Sequence, residues 1–376
     1  MIYNRQYKSN EIKIAFDSQI FTMQEYGGIS RYICSLANTL QQNSGIEAKI
    51  FAPLHINAYL ADMPSELAFG HKMPRIPKTG RLRSAISQLL ARPMMKYYNP
   101  SIVHETYYAA HAYAPTSARR VVTVYDMIHE LFAPEFAVHD QTSKLKRIAT
   151  QRADHVICIS ESTRKDLLDI FNLSSDKVSV VYLGFDSLDL AATTFERKER
   201  KPYLLYVGQR FGYKNFSGFL RAYASSGFLR NHFEVICFGG GVFTNDELSL
   251  FAELGLSQNQ VFQVSGSDSK LASYYSNAAL FVYPSLYEGF GIPPLEAMSL
   301  GCPVACSNNS SIPEVAGNAA EYFNAENTES IREAMEQVVN SSSRREQLIS
   351  LGKLRCAEFS WQRCASETLA VYRNLL

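Results

Sequence analysis

Glu288 and Glu296 flank a glycine-rich turn in the stretch Tyr283-Pro-Ser-Leu-Tyr-Glu-Gly-Phe-Gly-Ile-Pro-Pro-Leu-Glu-Ala-Met298. An ionised carboxylate accepts hydrogen bonds and donates none, so such a pair suits a ligand that presents hydroxyls. Between them, Gly289 and Gly291 allow a close backbone approach to a ligand. The helix start marked by Pro293 and Pro294 adds amides and partial positive charge, a setting that suits an anion. Both prolines lack an N–H, which leaves the amides of Gly289, Phe290, Gly291, Ile292 and Leu295 to bind it. A phosphate flanked by hydroxyls describes a nucleotide sugar, with Glu296 on the ribose diol and Glu288 on the sugar. In the plainer alternative, Glu296 only complements the helix dipole and Glu288 is a solvated turn residue.

Other residues could serve the same chemistry. Arg210 and Lys214 lie in Gly208-Gln-Arg-Phe-Gly-Tyr-Lys-Asn215, where two cations at a strand-to-helix turn are placed to meet a diphosphate. The alternative is ordinary surface charge on a loop. Gly27-Gly28 puts free amides at another helix start, which by itself is more often a tight turn. Asp126 and His129 follow the run Arg120 to Tyr125, at a strand end where an α/β protein puts its chemistry.

These residues need strands and helices to hold them. Strands are expected at Ile12–Phe16, Glu47–Ala52, Ser101–His104, Arg120–Tyr125, Ala153–Ser160, Lys177–Tyr182, Tyr203–Gly208, Phe233–Gly239, Val261–Gly266 and Ala279–Tyr283, with helical periodicity between several of them. Such alternation predicts α/β architecture with parallel, doubly wound sheets. Periodicity fails after Asp186, and the charge-dense residues 193–201 read as a linker between domains at 1–192 and 202–360.

At 376 residues the chain is long enough for two ordinary domains, and 46% hydrophobic with 19% charged residues is a globular composition. A net charge of +1 gives no general attraction to nucleic acid. The polar start, Met1 to Glu11, does not read as a signal peptide, and no apolar run reaches the roughly 18 residues of a membrane span. Seven scattered cysteines without metal-like spacing read as buried hydrophobes in a reducing compartment, and the expected location is cytoplasmic. No Asp-x-Asp motif calls for a metal, and no cofactor is expected. Between Lys72 and Lys96, Lys72, Arg75, Lys78, Arg81, Arg83, Arg92 and Lys96 interleave with apolar residues and no acidic one. The segment is either a solvated face or a surface for peripheral contact with anionic membrane.

The Glu288-x7-Glu296 stretch, with Gly301-Cys-Pro-Val and Ile312-Pro-Glu-Val after it, closely resembles the retaining GT-B glycosyltransferases of family four. The likeness spans nearly the whole chain and is specific for the family but not for the sugar. It implies two Rossmann-like domains facing a cleft. The amino-terminal one would be on the acceptor side and joined by a helix over 361–376; the carboxy-terminal one would bind the nucleotide sugar. It implies phosphate contacts for Gly28 and Lys214, with Arg210 a shifted substitute for the family's arginine, and backbone contact of Ser265 and Gly266 with the nucleobase. Many members carry His-Asp where this chain has Tyr125-Asp126. Three alternatives follow: His129 replaces that histidine, Asp126 acts alone, or His129 is a satisfied structural histidine. The resemblance also implies no established protein nucleophile and a leaving phosphate that helps deprotonate the acceptor. Tyr-Asp-Met-Ile-His-Glu and Tyr-Lys-Asn-Phe are similar to bacterial mannosyltransferases of surface polysaccharide synthesis. GDP-mannose is thus the expected donor, with a polyprenyl-linked or oligosaccharide acceptor. The alternatives are a UDP-sugar donor, a nucleotide-sugar epimerase on the same fold, a silent binding protein, or an oxidoreductase suggested by Gly289-x-Gly291 but lacking the next glycine, where Pro294 stands.

Overall fold

The computed structural model describes residues 11–112, 114–188, 201–257 and 259–376. One compact unit ends at Gly184 and takes in Ser360–Leu376; the other is Phe185–Phe359. The division falls ahead of the boundary expected at 192, and of the expected linker only Lys201 is among the described residues.

The first unit is built on a parallel sheet of seven strands: β1 (Ile12–Phe16), β2 (Ile46–His55), β3 (Ala68–Lys72), β4 (Ile102–Glu105), β5 (Arg119–Val124), β6 (His155–Cys158) and β7 (Val178–Val180). Their order is β3-β2-β1-β4-β5-β6-β7. Val121, Val122 and Val124 in β5 and Val156, Ile157 and Cys158 in β6 have no exposed surface, so their continuous apolar runs fit a sheet covered on both faces. The edge strand β3 is mostly exposed, and its residues show no apolar run that would mark a strand in the sequence.

The helix Trp361–Leu375 packs on the helix Gly28–Gln41 within this unit. Ser360 caps its start by accepting from the Arg363 amide. Its Tyr372 hydroxyl lies 2.6 Å from His104 Nδ1, and His104 Nε2 lies 2.8 Å from the Thr123 hydroxyl. The chain's last turn is therefore tied into the middle of the sheet. Burial holds His104 near a pKa of about 3, so the ring is neutral and one of its nitrogens accepts.

The second unit has six parallel strands: β8 (Tyr203–Val207), β9 (Glu234–Phe238), β10 (Val261–Val264), β11 (Leu280–Tyr283), β12 (Val304–Ser307) and β13 (Glu321–Phe323). They are ordered β10-β9-β8-β11-β12-β13. Phe216, Phe219 and Tyr223, on one helix, bury an aromatic face against Leu204, Val235 and Val282 of the sheet. All seven cysteines are free and six are buried, with the thiols pushed up by burial, as fits a packing role.

Both orders reverse direction once, between β1 and β4 and between β8 and β11. In a doubly wound sheet, ligands bind outside the carboxyl ends of the strands at that switch point. The loop carrying Lys214 follows β8 and the loop carrying Glu288 follows β11, so the strongest candidates of the second unit stand on either side of its switch point.

Candidate functional site

The turn after β11 is held from several directions. Gly291 is the N-cap of the helix Ile292–Ser299 at φ 115°, a left-handed conformation that an L side chain rarely adopts, and the prolines lie in the first helical turn. The Glu288 amide donates to Ser310 Oγ at 2.9 Å. The Ser311 hydroxyl lies 2.8 Å from both the Glu288 and the Phe290 carbonyl oxygens. Leu286 N donates to Tyr213 O at 2.7 Å, which joins this turn to the loop after β8. Asn215 Nδ2 strengthens that join by donating to Pro284 O at 3.2 Å and Ala325 O at 2.7 Å.

The two loops meet through side chains as well. Lys214 Nζ lies 2.7 Å from Glu288 Oε1, with the lysine side chain 21% and the glutamate 10% exposed. A cation and a carboxylate in contact, mostly screened from water, form a charge-assisted pair of fixed geometry. The Tyr283 hydroxyl also bonds to Glu288, and the Tyr275 hydroxyl donates to Glu296 Oε2 at 3.1 Å. Burial raises both phenols well above their ordinary pKa, so they act as neutral donors.

Arg210 requires a correction. Sequence reasoning aims its fork at a diphosphate, but the guanidinium turns into the protein. Nε lies 2.6 Å and Nη2 3.3 Å from the Glu247 carboxylate, Nη1 donates to Gly239 O at 3.0 Å, and Nη2 donates to Gly241 O and Val242 O. The ring of Phe243 lies 4.8 Å from its centre. All three nitrogens are engaged, so the residue pins the Gly239-Gly240-Gly241 turn, where three successive residues have positive φ. The sequence places a cation in the right loop but says nothing about which way its side chain leaves the backbone. Ser265 and Gly266 follow β10 and are exposed, and Lys270 Nζ donates to Ser265 O at 2.8 Å.

In the first unit, Gly28 opens the helix Gly28–Gln41, and a Cβ built on it would meet nothing within 4 Å. Asp126 follows β5, and its Oδ1 accepts the Ile128 amide at 3.1 Å. His129 stacks on Phe136 with ring centroids 4.1 Å apart, and its Nε2 is 3.9 Å from Asp140 Oδ2. It lines a cavity of about 510 Å³ with Glu130, Phe136 and Arg147.

Lys146, which sequence reasoning passed over, anchors this turn although only 1% of its side chain is exposed. Its Nζ donates to Asp126 O at 2.8 Å and to Glu130 Oε2 at 2.7 Å, and lies 3.7 Å from Asp126 Oδ1. Asp17, after β1 at the switch point, was also missed. It is buried and takes Thr106 Oγ1 at 2.5 Å, the Thr106 amide and both donors of Gln19. In sequence, Lys146 looks like any helix-surface lysine and Asp17 like a turn residue. Among the described residues no group of three or more His, Cys, Asp or Glu could hold a metal ion.

Comparison with known proteins places this geometry in context. Residues 26–187 match the family model for Glycosyltransferase Family 4, and residues 192–355 match the model for Glycosyl transferases group 1. The chain is 28% identical over 322 residues to O-antigen chain mannosyltransferase B of Escherichia coli, covering 82% of this chain and 83% of that protein. It is 25% identical over 316 residues to O-antigen chain mannosyltransferase RfbU of Salmonella typhimurium, covering 83% and 87%. A solved structure of a glycosyltransferase from Rickettsia africae superposes with a TM-score of 0.71 at 18% identity, covering 97% of this chain and 98% of that one, which is a likeness of fold.

Proposed function

The chain belongs to the group 1, family 4 glycosyltransferases, and from that premise we propose that it transfers mannose from GDP-mannose to a lipid-linked or oligosaccharide acceptor with retention of anomeric configuration. The mannose assignment is supported by two relatives that share most of their length with this chain and are named O-antigen chain mannosyltransferases. One observation carries the assignment of the donor site: the Lys214–Glu288 pair at 2.7 Å, between the loops that flank the switch point of the second unit.

In this reading the donor diphosphate lies between Lys214 and the start of the helix Ile292–Ser299. Lysine and amides neutralise the charge that develops as the bond from the sugar's anomeric carbon to phosphate oxygen breaks. An acceptor hydroxyl oxygen forms the new bond on the same face, and its proton passes to the departing phosphate. Glu288 grips the sugar and Glu296 the ribose. Fixing donor and acceptor in one orientation supplies much of the acceleration, and the reaction needs no divalent metal. Thermal unfolding with a panel of nucleotide sugars tests the donor, because a ligand at 100 times its dissociation constant adds about 2.7 kcal/mol. GDP-mannose should raise the midpoint most. A UDP-sugar that stabilises where GDP-mannose does not would overturn the mannose assignment.

The acceptor reading gains a surface from the helix Gly80–Tyr98. Ser87, Ala91, Met95 and Tyr98 form its buried face. Leu82, Leu89 and Tyr97 on the other side are 63%, 63% and 95% exposed, and Ile86 and Leu90 lie exposed beside them. No acidic residue stands between Glu66 and Glu105. An outward apolar face edged by Arg81, Arg92 and Lys96 complements an anionic bilayer, where a lipid-linked acceptor resides. Arg83 takes no part, since its guanidinium donates to Thr22 O at 2.9 Å. No described helix is long and apolar enough to cross a membrane.

A further inference from the structure

Beneath the loop after β11 runs a row of three aromatic rings. Tyr275, on the helix Asp268–Asn277, meets Phe281 edge-on at 5.3 Å, and Phe281 lies 5.7 Å from Tyr283 at the end of β11. All three are buried, with Tyr275 and Phe281 fully so. From this layer two hydroxyls emerge, one for each carboxylate: Tyr275 Oη donates to Glu296 Oε2 at 3.1 Å, and Tyr283 Oη bonds to Glu288. The Tyr283 ring also lies beneath the glycine turn, its Cε1 the nearest atom to where a Cβ on Gly291 would stand, at 4.0 Å.

We propose that Tyr275 and Tyr283 are separate positioning residues for the donor, Tyr275 setting the carboxylate that holds the ribose and Tyr283 the carboxylate that holds the sugar. A carboxylate on a flexible stem presents its lone pairs to a ligand at one angle only if other donors fix the remaining ones. Glu288 has two such anchors, Lys214 Nζ at 2.7 Å and the Tyr283 hydroxyl, so its orientation is set from both loops. Glu296 sits on the helix Ile292–Ser299 and reaches back to a tyrosine of the neighbouring helix, which aligns that helix with the one before it. Packed rings do not slide, so each hydroxyl is delivered at a fixed point.

The proposal rests on reading Glu288 and Glu296 as donor contacts, and the test separates the two. Tyr275→Phe, Tyr283→Phe, Glu288→Gln and Glu296→Gln are each measured by calorimetry with GDP and by steady-state turnover of GDP-mannose, with thermal unfolding alongside. A hydrogen bond to a charged group is worth about a ten- to hundredfold change. Tyr275→Phe should weaken GDP by about tenfold and raise the KM for GDP-mannose to match, with kcat kept. Tyr283→Phe should leave GDP affinity within about twofold and lower kcat by about tenfold. A merely structural role would lower the unfolding midpoint without this split between KM and kcat. If each glutamate variant shows its own deficit while both phenylalanine variants bind and turn over normally, the positioning proposal fails alone. If Glu296→Gln binds GDP normally or Glu288→Gln turns over normally, the underlying donor reading fails, and the proposal with it.

Discussion

Lys214 and Arg210 stand four positions apart in one loop with the same formal charge, yet their surroundings give them different work. Lys214 reaches Glu288 at 2.7 Å on the far side of the switch point, whereas Arg210 is spent on Glu247 and three carbonyls. Removing one partner of a buried ion pair leaves the other charge uncompensated, at a cost of about 3 kcal/mol or more. Arg210→Met should therefore lower the unfolding free energy measured by denaturant titration by about that amount while the folded protein keeps its affinity for GDP within about twofold. A loss of GDP affinity without a loss of stability would restore Arg210 to the donor. The positions of Lys214 and Glu288 in the turns after β8 and β11, and of Glu296 on the helix that follows, were legible in the sequence from its strand–turn–helix spacing. The direction of Arg210, the burial of Lys146 and the partner of the Tyr275 hydroxyl were not, because each depends on residues distant in sequence: Tyr275 and Glu296 are 21 residues apart.

Among the elements, strands with continuous apolar runs were legible from β1 to β11. The exceptions are β3, which is exposed at an edge, and the short β12 and β13. The helix Gly80–Tyr98 was legible as a basic, apolar-striped segment, but only packing separates its inward stripe from its outward one. That division directs the test: Arg81, Arg92 and Lys96 changed together to Gln should weaken sedimentation with anionic liposomes. At about 1 kcal/mol per basic residue, the loss is on the order of a hundredfold at low salt and less at high salt. Unchanged liposome binding would return the helix to a solvated face.

The helix Trp361–Leu375 supplies a pH test. The pKa of His104 is lowered by burial from 6.5 to about 3, so its neutral form adds stability above pH 6.5 that is lost as pH falls toward 3. Glu105 works in the opposite sense. Burial, then the neighbouring Asp17 charge, raises its pKa to about 7, so its contribution is full below about 4.5 and lost as pH rises through 7. Replacing His104 with Gln removes only the first term. The His104→Gln protein should be less stable than wild type at pH 7.5, and the gap should narrow by pH 5. A constant gap would show that the ring does not titrate on unfolding.

For the whole molecule, the proposed reaction is retaining transfer from GDP-mannose, with lysine and helix amides neutralising the departing diphosphate. Two parallel sheets, each with one reversal of strand order, place the candidate residues at carboxyl ends, and that much follows from the alternation of strand and helix in the sequence. The proposed sugar rests instead on the two similar mannosyltransferases, which the alternation of strand and helix could not supply. The most direct measurement is proton NMR-coupled product analysis with GDP-mannose, in which mannose is α-linked, a mannoside acceptor and EDTA, using the one-bond coupling at the anomeric carbon to assign the new linkage. An α-mannoside should form at an undiminished rate with EDTA present and be lost in the Glu288→Gln protein. A β-mannoside, a product formed only after magnesium or manganese is restored, or conversion of the donor to another nucleotide sugar without acceptor would contradict it.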